Sequence, residues 1–179
     1  MRKPFIIIPI LLLFVALTSC EKDDICPGDS STTARLYINF YSSTNPENPK
    51  NVFKFRVQGI GNDQVLADYN AVTSNKVYLP LKTTENQTQF RLHNDYAVNN
   101  NGTPEDTSDD YITGNEDIIT ISYNTKLEYV SKACGYKTVF ENVTITVEDD
   151  GDKWINYILS TTDNEPISDE NEAHFNLFH

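Results

Sequence analysis

Phe53-Lys54-Phe55-Arg56-Val57-Gln58 decides the fold class of this chain, because apolar and polar side chains alternate along it without a break. A period of two is typical of a β-strand that has one buried and one solvated face. We therefore expect Phe53, Phe55 and Val57 to point into a core and the three polar side chains to face solvent.

The same alternation recurs on both sides of that strand. It predicts further strands at 36–41, 77–81, 90–93, 119–123, 127–129, 143–147, 155–159 and 175–177. Pro80 places the 77–81 strand at the edge of a sheet, because proline has no N–H to donate to a neighbouring strand. About nine short strands with polar connectors favour an all-β fold, either a sandwich or a small barrel. We prefer an antiparallel β-sandwich with an immunoglobulin-like or related Greek-key layout.

The first twenty residues have the features of a secretory leader. Arg2 and Lys3 precede an apolar stretch of about 13 residues, whereas a signal peptide takes roughly 7–15 and a transmembrane helix roughly 20. Leu17-Thr18-Ser19-Cys20 resembles a bacterial lipobox, in which the cysteine is joined to diacylglycerol and becomes the first residue of the mature protein. We therefore predict lipidation of Cys20. The alternative is an ordinary signal peptide that is cut elsewhere.

This leader divides the chain into three parts. Residues 1–19 are the lipoprotein signal peptide, residues 20–32 a lipidated tether, and residues 33–179 a single β-sandwich domain. Glu21-Lys22-Asp23-Asp24 looks like the signal that sends some Bacteroidota lipoproteins to the outer face of the outer membrane; a solvated linker is the other interpretation. We expect a lipid anchor in the outer membrane, with the domain either periplasmic or surface-exposed.

The chain is strongly acidic, with 26 Asp and Glu residues against 14 Lys and Arg residues. Its formal net charge of −12 repels phosphate backbones, so nucleic acid is excluded as a partner. The length suits one domain with a sizeable core. We expect a monomer that meets the membrane through its lipid anchor.

Three cysteines are present, and lipidation would use the sulfur of Cys20. Cys26 and Cys134 then form an even pair outside the reducing cytoplasm, where disulfides persist. We predict a Cys26–Cys134 disulfide. Two unpaired thiols, or a catalytic Cys134, are the competing interpretations.

One predicted connector, residues 94–117, is long enough to carry a function of its own. Calcium takes roughly six to eight oxygen ligands on a bendable backbone, and Gly102 permits a sharp turn there. The oxygen-bearing side chains of this candidate calcium site are Asn99, Asn101, Glu105, Asp106, Asp109, Asp110 and Asp117. The other interpretation is a solvated loop without metal, because the match to calcium loops of the Asp-x-Asp-x-Asp-Gly kind is poor.

The sequence contains no familiar catalytic motif. It lacks His-Glu-x-x-His, Gly-x-Ser-x-Gly and the phosphate-binding glycine loops, so zinc, serine-hydrolase and nucleotide chemistry have no local support. His93, on the polar side of its strand, and His179, at the last position, are expected at the surface. We expect no enzyme activity and no cofactor other than the candidate calcium ion.

Tyr37 and Tyr41 lie opposite the apolar side of the first predicted strand. This placement predicts a sheet that presents tyrosines outward, and aromatic surfaces suit sugars and protein partners. The alternative is that both sides of the strand are buried, or that the rings cover a sheet edge.

Four stretches carry a resemblance to a known family. They are residues 20–26, residues 129–140, Trp154-Ile155 and residues 171–175, and the second contains the group Cys134-Gly135-Tyr136-Lys137. Together they resemble small β-rich lipoproteins of the Bacteroidota that are classed as a domain of unknown function. The resemblance covers most of the mature chain. It implies an outer-membrane lipoprotein of β fold and assigns no catalytic residue.

These observations favour a non-catalytic lipoprotein module that binds a protein or a glycan, or that supports the cell envelope. Two alternatives stay open: an extracytoplasmic enzyme whose site is assembled only in the tertiary structure, and a calcium-dependent adhesion or capture module. A tyrosine-rich sheet face would favour binding, a deep pocket with converging polar groups would favour the enzyme, and about six converging oxygens would favour calcium.

Overall fold

The computed structural model describes residues 25–26, 32–61, 64–162 and 165–179. The predicted leader, Cys20 and most of the tether lie outside the described residues. The chain divides into two compact units. The larger comprises Thr32–Leu127 with Thr138–His179, and the described residues of the smaller are Ile25, Cys26 and Glu128–Lys137.

Nine strands make up most of the regular structure in the described residues. They are β1 (Leu36–Tyr41), β2 (Val52–Gly59), β3 (Val72–Ser74), β4 (Lys76–Leu79), β5 (Gln87–Asn99), β6 (Tyr111–Ser131), β7 (Gly135–Val147), β8 (Tyr157–Ser160) and β9 (Phe175–Phe178). A turn of 3-10 helix occupies Thr107–Asp109. In the part of the chain that the structure describes, no helix has the length and apolar character needed to cross a membrane.

The strands form two sheets, one with the order β4-β1-β9-β8 and the other with the order β3-β2-β5-β6-β7. The described strand pairings are antiparallel except that of β1 with β9. The prediction of an all-β fold with two mainly antiparallel sheets is confirmed. β4 lies at a sheet edge, as Pro80 directly after it predicts.

The inner sides of the two sheets share one core. In β1 every second side chain, from Leu36 to Phe40, is fully buried, and the alternate ones are half-buried. Trp154 packs edge-on against Phe55 with ring centroids 6.4 Å apart, and its indole Nε1 donates to the carbonyl of Leu92 at 3.1 Å. Burial of such side chains stabilises the fold by about 25 cal/mol per Å² of apolar surface removed from water.

The described residues contain nine strands, as predicted, but the number agrees only because two errors in the prediction cancel. The strands predicted at 119–123 and 127–129 are one strand, β6, because the polar residues between them stay extended instead of turning. β3 has no counterpart among the predicted strands, because Val72-Thr73-Ser74 has a single apolar side chain.

Phe53 departs from the alternation that defines its strand, so its predicted inward direction is wrong. Its side chain is 61% exposed, whereas Phe55 and Val57 are fully buried. The pairing of β2 with β3 shifts register between Val52 and Phe55, and Lys54 has a φ of 44°. This bulge reverses the alternation, so Val52 takes an inward place and Phe53 turns to solvent.

The connector predicted at 94–117 is much shorter in the structure. β5 continues to Asn99 and β6 begins at Tyr111, so only residues 100–110 join them. The flanking residues have the polar composition of a loop, yet cross-strand pairing holds them extended.

Candidate functional site

An aromatic surface covers the outer side of the four-stranded sheet. We call it the aromatic face, and it consists of Tyr37, Tyr41, Tyr78, Tyr157 and Phe178. β1 supplies the first two rings, which alternate with buried side chains because successive residues of a strand point to opposite sides of a sheet. Their outward direction agrees with the prediction.

Strand register brings these rings together from distant parts of the chain. Tyr37 pairs with Tyr78, and Tyr41 pairs with Phe178. Phe178 also pairs with Tyr157. The rings of the first pair stack with centroids 4.4 Å apart. The other three rings form one continuous stack, in which Phe178 lies 5.8 Å from Tyr41 and 4.5 Å from Tyr157.

Neighbouring rings cover each other's faces. The planes of Tyr157 and Phe178 are only 15° from parallel, and Phe178, with a ring on each side, is buried. Rings stacked across strands that are about 4.8 Å apart turn their edges and hydroxyl groups toward solvent. The aromatic face therefore offers ring edges and tyrosine hydroxyls more than open ring faces.

Two cations flank one end of the aromatic face. The guanidinium of Arg35 lies 4.7 Å from the ring centre of Tyr78, and Lys76 Nζ lies 5.9 Å from that of Tyr37. Glu170 holds Arg35 in place, with Nη2 2.6 Å from Oε2, and this hydrogen bond lowers the pKa of Glu170. Burial and the neighbouring Tyr78 raise the pKa of Tyr37, so its hydroxyl keeps its proton at neutral pH.

His174 adjoins this end of the sheet and is fixed by backbone groups on both sides. Its Nδ1 accepts a hydrogen bond from the N–H of Tyr37 at 2.9 Å, and its Nε2 lies 3.0 Å from the carbonyl oxygen of Asp169. The ring therefore carries its proton on Nε2, and burial lowers its pKa. With both nitrogens engaged, His174 holds two chain segments together and is poorly placed to act as a base.

Two surface depressions among the described residues have polar linings. One, of about 280 Å³, is lined by residues 162, 165–166, 168–169 and 171–174, and its histidine is the engaged His174. Another, of about 350 Å³, is lined by amide and hydroxyl side chains. A site assembled for catalysis gains no support from either.

The outer side of the five-stranded sheet carries a charged cluster around His93. This histidine is 2% exposed, so the prediction of a surface position is wrong. Its Nε2 lies 2.9 Å from Glu116 Oε2, and the other carboxylate oxygen, Oε1, accepts a hydrogen bond from Arg91 Nε at 2.6 Å. Tyr96 meets the imidazole edge-on at 5.3 Å, and Arg56 lies 4.5 Å from the centre of the Tyr96 ring. Burial lowers the pKa of His93, and Glu116 opposes that shift.

His179 is also buried, against expectation. Its ring meets those of Phe40 and Trp154 edge-on, with centroids 6.4 and 5.5 Å apart. Its carbonyl oxygen accepts a hydrogen bond from Lys50 Nζ at 2.9 Å. Burial lowers the pKa of His179, which packs as a core residue.

The candidate calcium loop is organised by hydrogen bonds among its own side chains. Asp109 accepts from Thr103 Oγ1 at 2.8 Å and from Asn101 Nδ2 at 3.1 Å. Asp106 caps the 3-10 turn by accepting from both the N–H and the hydroxyl of Ser108. These hydrogen bonds lower the pKa of both carboxyl groups.

The other predicted calcium ligands lie in different surroundings. Asn99 donates to the hydroxyl of Tyr111 at 2.9 Å, and Glu105 is exposed. Asp110 has one buried oxygen without a hydrogen bond from any described residue. Asp117 is buried on β6 and accepts from backbone N–H groups of another segment, so it does not belong to the loop. Among the described residues, no three His, Cys, Asp or Glu side chains are placed to hold a metal. The calcium site stays a prediction.

The smaller unit is closed by the predicted disulfide between Cys26 and Cys134, which the structure confirms. Cys134 lies in the turn between β6 and β7, where its N–H donates to Ser131 Oγ at 3.0 Å. Gly135 has a φ of +71°, a conformation that suits a residue without a side chain. The Cys134-Gly135 pair thus shapes the turn.

The fold and the aromatic face define the protein as an all-β sandwich module with stacked rings on the outer side of one sheet. The chain belongs to the family of unknown function DUF6452, whose model matches residues 54–179. Comparisons with curated proteins and with solved structures gave no match.

Proposed function

We propose that this chain is an outer-membrane lipoprotein, anchored through acylated Cys20, whose sandwich binds another macromolecule through the aromatic face. In this proposal the protein is one of the small Bacteroidota lipoproteins with a Cys134-Gly135-Tyr136-Lys137 group. Its role is non-catalytic, the domain is monomeric, and it faces either the periplasm or the cell exterior.

Export is supported by two features of the chain. The leader has the length of a signal peptide and ends in a lipobox-like quartet. The disulfide between Cys26 and Cys134 belongs to an oxidising compartment, because thiols stay reduced in the cytosol. A diacylated cysteine would hold the protein stably, since two acyl chains anchor where one does not.

The binding role depends on one observation, the continuous stack of Tyr41, Phe178 and Tyr157 on the outer side of a sheet. Leu159 extends this apolar strip along β8 and is 54% exposed. In a chain this acidic, a contiguous aromatic strip on an outward face is typical of an interaction surface.

A protein partner fits the geometry better than a glycan. Sugars stack on open ring faces, whereas these rings cover one another and present edges and hydroxyl groups. Tyrosine and arginine are enriched in protein interfaces, where apolar edges pack and hydroxyl groups form hydrogen bonds. Asn39 and Asn176 pair between the two groups of rings and add amide groups to the surface.

A photocrosslinking amino acid placed at Leu159, in the cells that make the protein, tests this proposal. Leu159 lies on the aromatic face, whereas Thr144 is exposed on a strand of the other sheet and serves as the matched control. We expect one discrete protein adduct from position 159, lost when Tyr41 and Tyr157 are both changed to Ala, and none from position 144.

Equal adducts from both positions, or an adduct that survives loss of the two tyrosines, would contradict the assignment of this face. A glycan array provides the second readout, because a glycan ligand would bind the wild type and lose affinity in the same double variant.

A further inference from the structure

We infer that the tip of the β6–β7 hairpin lies in the interface of the lipid bilayer, where the rings of Tyr129 and Tyr136 enter the headgroup region. This inference rests on the proposed lipidation of Cys20 and concerns only the smaller unit of the chain.

The smaller unit presents apolar side chains to solvent. Tyr129, near the end of β6, is 57% exposed, and Tyr136, at the start of β7, is 66% exposed. Their rings meet edge to face with centroids 5.4 Å apart, so they form one projecting pair. Ile25, beside the disulfide, is 77% exposed. Exposed apolar groups gathered in one small unit are typical of a surface that contacts a partner or a membrane.

The covalent connections limit how far this tip can lie from the lipid. Five residues lie between Cys20 and Cys26, and the six Cα–Cα steps from one cysteine to the other span at most about 20–22 Å when the chain is fully extended. The disulfide adds a Cα–Cα distance of 4.9 Å to Cys134. The turn that contains Cys134 therefore stays within a short distance of the acylated sulfur of Cys20. Without the disulfide, the chain between Cys20 and Cys134 would be long enough to allow a much larger distance.

Tyrosine suits this position because its ring is apolar and its hydroxyl is polar. Tyrosine and tryptophan concentrate at both membrane–water interfaces for that reason. The charge of the tip does not oppose the contact. Lys137 pairs with Glu128 at 3.3 Å, and Lys132 lies in the turn itself.

The contact depends on burial of the rings more than on charge attraction. Residues 21–24 carry three acidic side chains against one lysine. The acyl chains would supply the affinity for the membrane, and the two tyrosines would fix the orientation of the tip. Loss of the rings should therefore leave membrane attachment intact.

The test uses the protein as isolated from the cells that make it, mixed with phosphatidylcholine vesicles that contain brominated lipid as a quencher. Tyr136→Trp places a fluorophore at the tip, and Tyr157→Trp, on the aromatic face, is the matched control. Trp154 is buried and gives the same background in every sample. We expect brominated lipid to quench the Tyr136→Trp signal about threefold more than the Tyr157→Trp signal.

Flotation with the vesicles separates the two proposals. A chain that does not float is not lipid-anchored, and the proposed function itself fails. A chain that floats but shows equal quenching at both positions overturns the membrane contact of the tip alone. A second variant, Tyr129→Ser with Tyr136→Ser, should float like the wild type and be cut by trypsin after Lys132 several times faster. Unchanged cleavage would also count against the contact.

Discussion

Asp117 Oδ2 lies 2.8 Å from the backbone nitrogen of Ile155, so a carboxylate on β6 holds the segment that leads into β8. The other oxygen of Asp117 lies 3.4 Å from the backbone nitrogen of Trp154. All three residues are buried. One side chain thus satisfies two backbone donors of the connection between the sheets, and its loss would leave buried N–H groups without an acceptor.

Asp117→Ala should lower the free energy of unfolding by about 2–4 kcal/mol, because each buried donor that loses its acceptor costs about 1–3 kcal/mol. Urea unfolding followed by tryptophan fluorescence measures this change. Asp149→Ala is the control, since that carboxylate is exposed and pairs with Lys153 at the surface. Equal stability of the two variants would contradict the structural role of Asp117.

Stability should fall on acidification through the range in which histidines titrate. Burial lowers the pKa of His93, His174 and His179 below the ordinary value of 6.5. The unfolded chain then binds more protons than the folded one near and below pH 6.5, so stability rises with pH through this window and is lost as pH falls. We expect the Tm to drop between about pH 7.5 and about pH 5.5.

His93→Gln identifies the contribution of one site to that drop. Burial and the two arginines Arg56 and Arg91 disfavour the protonated imidazole, whereas Glu116 favours it. The Nδ1 atom is also buried without a hydrogen-bond partner among the described residues. The variant should show a smaller fall in Tm over the same pH range. A Tm that increases on acidification in the wild type would contradict the sign of these shifts.

Gly114→Ala should destabilise the fold more than Gly102→Ala. Both glycines have positive φ, so a side chain costs about 1 kcal/mol or more at either. At Gly114 an added Cβ would also lie 2.6 Å from the backbone oxygens of Asn94 and Asp95, whereas at Gly102 it would meet nothing within 4 Å. Thermal melts of the two variants measure the difference. A Gly102 variant as unstable as the Gly114 variant would contradict the steric argument.

Removal of the disulfide should lower the stability substantially. Cys26 and Cys134 are separated by 108 positions. A cross-link over so long a segment lowers the conformational entropy of the unfolded chain, which raises the free energy of unfolding by up to about 4–5 kcal/mol. The double variant Cys26→Ser with Cys134→Ser should melt well below the wild type, and reductant should have little further effect on it. A wild type whose Tm does not change with reductant would contradict the prediction.

Calcium should leave the melting temperature unchanged. The carboxylates of Asp106 and Asp109 already accept hydrogen bonds from Ser108, Thr103 and Asn101. Binding would have to break these bonds before gaining ligands. Melts with calcium and with chelator make the comparison. A rise in Tm with calcium would support a calcium-dependent module instead.

Alternation and the count of cysteines made part of the structure predictable from the sequence. Apolar and polar residues alternate along β1, so the outward direction of Tyr37 and Tyr41 could be predicted from the sequence. Of the three cysteines, Cys20 was assigned to the predicted lipobox, which left Cys26 and Cys134 as the pair. The ring partners on the aromatic face were not accessible, because the pairing of Tyr41 with Phe178 depends on a parallel contact between the first and last strands.

The other differences between prediction and structure come from local features that the alternation of apolar and polar residues does not show. The bulge at Lys54 turns Phe53 outward, and no residue type in the stretch predicts it. His93 lies on the polar side of its strand, yet Tyr96 and Glu116 cover it. Asp117 is an acidic residue of the kind that binds calcium in loops, but it lies in a long strand and its carboxylate accepts hydrogen bonds from buried backbone N–H groups.

The mass of the intact protein isolated from membranes tests the central claim, a lipid-anchored sandwich with a closed disulfide, most directly. We predict a chain that begins at Cys20, carries diacylglycerol, and is two hydrogens lighter than the fully reduced form, with no thiol reactive before reduction. A chain that retains an unmodified Cys20, or free thiols at Cys26 and Cys134, would contradict it.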